Sequence, residues 1–163
     1  MPRCAREISN SGCYHIVFRG VNHQNLFEEE IDFQYMMDIL KKVKNEMDFE
    51  IHSYCLMTNH VHILLKERQM GDISQIMKKI LTKYAMYFNR KYERSGALIA
   101  NRYKSKPVET DEYFITLIIY IHQNPVRSGM VLKPNDYVHS SYREYSGKPN
   151  LVNTTFALSL MPL

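Results

Sequence analysis

The order in which the apolar period changes along residues 13–123 restricts the possible folds more than any other feature of this chain. Cys13 to Arg19 (C-Y-H-I-V-F-R) is short, aromatic and β-branched and runs into Gly20 and Asn22, the pattern of a strand and its turn. From Asp32 to Met47 the apolar residues Phe33, Met36, Met37, Leu40, Val43 and Met47 recur at the spacing of one helix face. Phe49 to Met57 and His60 to Lys66 (H-V-H-I-L-L-K) read as two strands joined at Thr58-Asn59 into a hairpin. Gly71-Asp72 or Ser74 opens the longest helix, whose inner face carries Ile73, Ile76, Met77, Ile80, Leu81, Tyr84 and Phe88 and which ends before Ser95-Gly96. A short strand follows at Ser105 to Glu109, then a helix capped by Thr110 or Asp111. That helix should run to about Gln123, because Pro125 disfavours a helical conformation in the residue before it. The order β-α-β-β-α-β plus a helix predicts an α+β domain: the ferredoxin-like split βαβ, an antiparallel sheet backed by helices.

A chain of 163 residues suits one domain with one core. The expected domain covers residues 1–147, with 148–163 as a tail whose last ten residues form one short helix. Hydrophobic residues at 45% and the lack of a long apolar run or leader point to a soluble, cytoplasmic protein with no membrane partner. Cys4, Cys13 and Cys55 lack C-x-x-C spacing, which argues against both a disulfide framework and a zinc ribbon. A net charge of +4 favours nucleic acid only modestly. The distribution says more: Lys78, Lys79, Lys83, Arg90, Lys91, Arg94, Arg102, Lys104 and Lys106 are interleaved with Tyr84, Tyr87, Tyr92 and Tyr103, and the series continues past the helix into a loop.

His60 and His62 lie two apart on a strand, so both imidazoles project from one side, as in a chelating pair. The bland alternative is two polar residues on the solvated face of a hairpin. On the last helix Tyr120 and Asn124 are four apart and share a face, edging the stripe of Phe114, Leu117, Ile118 and Ile121. They too have an ordinary alternative, a core-edge aromatic and a C-terminal cap. Taken together the four fit one chemistry. A phenol, with an unperturbed pKa of about 10, is a weak nucleophile; its attack on a phosphodiester needs the phosphate polarised and its charge offset. A divalent cation does that, and two neutral imidazoles with an amide oxygen suit Mn2+ readily and Mg2+ acceptably.

These residues resemble the single-tyrosine HUH transposases, insertion-sequence enzymes, and especially their REP-associated branch. The resemblance runs from about Tyr14 to Tyr145 and rests on Y-H-I-V-F-R-G-V-N at 14–22, M-T-N-H-V-H-I-L-L at 57–65 and Y-A-M-Y-F-N-R-K at 84–91. It continues in R-Y-K-S at 102–105, Y-I-H-Q-N-P-V-R-S-G at 120–129 and S-S-Y at 140–142. It implies a metal-dependent endonuclease and strand transferase on a ferredoxin-like fold. Tyr120, on the C-terminal catalytic helix, would attack single-stranded DNA and leave a 5′-phosphotyrosyl link and a free 3′-hydroxyl. It implies His60 and His62 as metal ligands and Asn124 as the polar residue completing the site, where other branches carry Gln and reach one methylene further. The implied substrate is single-stranded or hairpin DNA, with Arg19, Arg90, Arg102 and Lys104 as candidate contacts, the cations that single-strand binding requires beside stacking aromatics. Arg127, just past the expected helix end, would favour its dipole. The resemblance leaves monomer and homodimer both open. A competing reading is a non-catalytic ferredoxin-like module that binds single strands, and a third is a phosphodiesterase that activates water.

Overall fold

The computed structural model describes residues 4–161. Strand β1 (Cys13–Arg19) lies inside the sheet, flanked by β3 (His60–Lys66) and β4 (Lys104–Pro107), with β2 (Glu50–Leu56) beyond β3. The sheet has four strands in the order β2-β3-β1-β4, and every pairing is antiparallel. This is the α+β, ferredoxin-like arrangement expected from the sequence. Alternation along β1 divides its side chains between two layers. Tyr14, Ile16 and Phe18 enter a core shared with helices α1 (Glu30–Met47) and α2 (Asp72–Lys91), whereas Cys13 joins a smaller core under helix α3 (Asp111–Arg127).

Local chemistry explains the element ends. The side chain of Asp32 accepts from the backbone N–H of Glu28 and Glu29, so α1 begins at Glu30, two residues earlier than its apolar stripe. Gly20 closes β1 because a Cβ there would come within 2.2 Å of the Gln24 carbonyl oxygen. The β2–β3 register shifts between Ile51 and Ser53, and this bulge turns His52 toward Phe114 of α3, ring centroids 5.0 Å apart. β4 begins one residue before its expected start and stops at Pro107; Glu109, expected in the strand, instead accepts from Ser9 Oγ and from the N–H groups of Asn10 and Ser11.

One expectation is overturned in a way that matters for the site. Pro125 does not end α3, which continues to Arg127. A proline withholds only its own N–H, so a single hydrogen bond to the carbonyl four residues back is lost. The final turn still closes, with Asn124 O accepting from Ser128 N and Pro125 O from Met130 N.

Beyond α3 the chain returns over the sheet through a 3-10 turn at Pro134–Asp136 and the short helix α4 (Tyr142–Ser146), and α5 (Thr155–Leu160) packs beside α3. Between the last two helices, Asn153 N donates to Ile51 O, and Leu151 and Val152 enter the larger core. Cys13 and Cys55 are buried and unbridged, with burial pushing both thiols up to about 12. No helix among the described residues is long and apolar enough to cross a membrane.

Candidate active site

The face of the sheet covered by α3 carries the candidate residues. In an antiparallel sheet, paired residues project from the same side. The register therefore places Lys104, Val17, His62 and Cys55 in one row across the strands and Arg19 beside His60 in the next. α3 packs Phe114, Leu117, Ile118 and Ile121 onto this face with Leu64, Cys55 and Met57, which leaves Tyr120 and Asn124 at its edge above the histidines.

The four predicted residues come together. The ring of Tyr120 stands edge-on to His62 with centroids 5.8 Å apart, and the His60 and His62 rings are 5.2 Å apart. His60 Nδ1 lies 2.8 Å from Asn59 Oδ1; donating there places the proton on Nδ1 and leaves the Nε2 lone pair free. Asn124 lies against His60, where its side chain favours the imidazolium. Its Nδ2 is buried without a hydrogen-bond partner.

Two residues join this group that sequence spacing did not single out for it. His15 Nε2 sits 3.0 Å from His62 Nδ1, and the His15 ring is 6.2 Å from that of Tyr120. Arg127 holds its guanidinium carbon 4.4 Å from the centre of the Tyr120 ring, a cation–π contact. It reaches that place because α3 runs through Pro125 and brings residue 127 back, two turns on, over residue 120. The signal for His15 was strand parity with Arg19, which means little until the register is known.

The electrostatics keep the imidazoles neutral. Burial, followed by the neighbouring His15, His60, Arg19 and Arg127, pushes His62 down to about 3. Burial and Lys106 bring His15 down to about 4. Burial and Arg19 lower His60, against the opposing effect of Asn124. A neutral imidazole keeps a lone pair for a cation, so the donor set fits a divalent metal. Among the described residues no group of three or more His, Cys, Asp or Glu is arranged to hold one. The pair would thus need an oxygen from elsewhere, and the side-chain carbonyl of Asn124, beside His60, can supply it.

The candidate DNA contacts divide. Arg19 and Lys104 are exposed on the site's own face. Arg102 donates from Nη2 to the Cys4 carbonyl at 2.6 Å. Arg90 lines a cleft between α1 and α2 with Tyr35, Lys42, Lys83 and Tyr87, across the sheet from the histidines. His122 points the other way from Tyr120 and bonds Ser141 Oγ at 2.7 Å, and Tyr113 lies under Lys106.

Comparison with known proteins follows the same lines. A search among curated proteins finds no match. Among solved structures, a REP-associated tyrosine transposase bound to a REP hairpin shares the fold, with a TM-score of 0.77 at 18% identity over 94% of this chain and 89% of that one. A Deinococcus radiodurans R1 chain, whose own transposase assignment is provisional, aligns at a TM-score of 0.49 and 20% identity over 76% of this chain and 95% of that one. The family model of IS200-like transposases matches residues 9–124. That span holds β1, the histidine pair, Tyr120 and Asn124 and exceeds half of the chain, and the chain belongs to the IS200-like transposase family.

Proposed function

We propose that this protein cuts and rejoins single-stranded DNA at or near hairpins through a covalent 5′-phosphotyrosine, with Tyr120 as nucleophile and His60, His62 and Asn124 holding Mg2+ or Mn2+. The observation that carries the reading is the meeting of a phenol with two neutral imidazoles and an orphaned amide on one side of the sheet. A module that merely binds strands has no use for that combination.

Tyr120 Oη attacks the scissile phosphorus and the P–O3′ bond breaks, leaving the 5′ side on the tyrosine and a 3′-hydroxyl on the departing strand; the phenolic proton passes to the leaving oxygen or solvent. Attack by a 3′-hydroxyl on the phosphotyrosine reverses the step and joins strands. The metal, when bound, polarises the phosphate and offsets its charge. Arg127, over the Tyr120 ring, stabilises negative charge on the phenolic oxygen and the phosphate. Arg19 and Lys104 stand on the same face and can follow the phosphates of an incoming strand, and Arg90 and Arg102 would do so further out. The hairpin bound to the REP-associated transposase supports this class of substrate. All four central side chains come from one chain, an arrangement compatible with a monomer and with a homodimer alike.

The test is incubation with hairpin-bearing single strands labelled on the 3′ side, in Mn2+ or Mg2+, followed by denaturing electrophoresis. A protein–DNA adduct is expected, lost in Tyr120→Phe, in His62→Ala and with chelator. DNA binding without any adduct in either metal would sink the catalytic reading in favour of a binding module. Hydrolysis surviving Tyr120→Phe would point to activated water instead.

A further inference from the structure

Resting on that reading of the site, we infer that His15 is a positioning residue for His62: it accepts a hydrogen bond from His62 Nδ1–H and so keeps the Nε2 lone pair of His62 free to hold the metal.

The geometry distinguishes this from a shared-ligand arrangement. The nitrogens are 3.0 Å apart, the ring centroids 5.3 Å, and the planes only 13° from parallel. The centroid separation is the nitrogen–nitrogen distance plus about one ring radius at each end, so the nitrogens face each other in line within nearly one plane. Two imidazoles bound to one cation would instead bend their lone pairs toward a common point, bringing the centroids closer at the same nitrogen separation. In-line facing is the arrangement of one N–H aimed at one lone pair. At 3.0 Å the facing nitrogens hold a single proton between them, and only its location is open.

Charge places it on His62. Its Nδ1 faces His15 at 3.0 Å, so the nitrogen of His62 left to a divalent cation, when one binds, is Nε2. Positive charge there favours a lone pair on Nε2 and sends the proton to Nδ1. Lys106, paired with His15 across the sheet, opposes this from the other side. Ligating histidines ordinarily give their second N–H to a carboxylate, carbonyl or water. Here β1 supplies an imidazole, since its position 15 lies on the same face as the histidines of β3.

The test uses histidine nitrogen chemical shifts of the metal-free protein, with Mn2+ titration as a second readout. Wild-type His62 should carry its proton on Nδ1. In His15→Phe the proton should move to Nε2 and Mn2+ affinity should fall about 10–100-fold. His15→Gln, whose amide oxygen can accept, should recover much of both. A proton on Nε2 of wild-type His62, or an unchanged tautomer with Mn2+ affinity within about twofold in His15→Phe, would overturn the inference. If wild type binds no Mn2+ at all, the metal reading of the site fails, while the nitrogen shifts still decide what His15 does to His62.

Discussion

At the scale of single residues, burial keeps the imidazoles of the site neutral, and the same physics makes His122 a sensor of acid stability. His122 is 5% exposed, donates to or accepts from Ser141 Oγ, and is brought down to about 4 by burial, against the opposing pull of Glu144. Its folded value lies below the ordinary 6.5. As pH falls through 6.5 the unfolded chain therefore takes up a proton that the folded chain refuses, and stability declines until about pH 4, by about 3 kcal/mol at most for this group. His122→Gln should be less stable than wild type at pH 7.5, through lost packing. That gap should narrow steadily toward pH 4.5, read as the difference between their melting temperatures. A gap constant over the range would show that His122 does not titrate on unfolding. Its neighbours on the chain show how residue roles hide in a sequence. Tyr120 and Asn124 could be found by helical spacing, but Arg127 could not, because the rule for the residue before a proline ends the helix too soon. His15 needed the β1–β3 register, which alternation within one strand does not contain.

At the scale of elements, periodicity carried most of the architecture: β1 and β3 begin and end where their apolar patterns do, and the stripe read for α2 is the face it buries. Features set by tertiary contacts were not legible. The bulge at His52 depends on α3 lying above it, and Asp32, besides capping α1 locally, has further partners remote in sequence. That carboxylate is fully buried and accepts from the Tyr87 and Tyr92 hydroxyls and the Lys91 ammonium at the end of α2. Burial alone would raise its pKa, but Lys91 and the two tyrosines outweigh burial and hold Asp32 well below the usual carboxylate range. One side chain thus caps α1 and ties it to the last turns of α2. Asp32→Ala would take the acceptor from two partly buried hydroxyls and remove the cap of α1, and should destabilise by about 1–3 kcal/mol in urea unfolding. Asp32→Asn, which keeps an acceptor oxygen, should lose less. Equal losses in the two variants would mean that packing volume, and not the hydrogen-bonded charge, makes the tie.

At the scale of the molecule, what remains is how the segment after α4 relates to the domain expected to end near residue 147. Glu144 Oε1 accepts from the N–H groups of Asn150, Leu151 and Val152, Oε2 accepts from Tyr54 OH, and Lys44 Nζ donates to Leu151 O. Leu151 and Val152 then sit 2% and 5% exposed in the core shared with α1 and α2. Burying an aliphatic side chain contributes about 1.5–3 kcal/mol, and removing the segment would also leave the buried Glu144 carboxylate short of donors. A chain cut after Gly147 should therefore lose about 5 kcal/mol, a fall on the order of 10–20 °C in melting temperature for a protein of this size. In the full chain, Glu144→Gln should reproduce part of that fall, since a neutral amide is a weaker acceptor for three backbone N–H groups. The histidines and Tyr120 lie outside this latch, so the full-length variant should still form the DNA adduct below its melting point. If the shortened chain instead melts within a few degrees of the full one, residues 148–163 are an appendage, and the core on the α1 side closes without Leu151 and Val152.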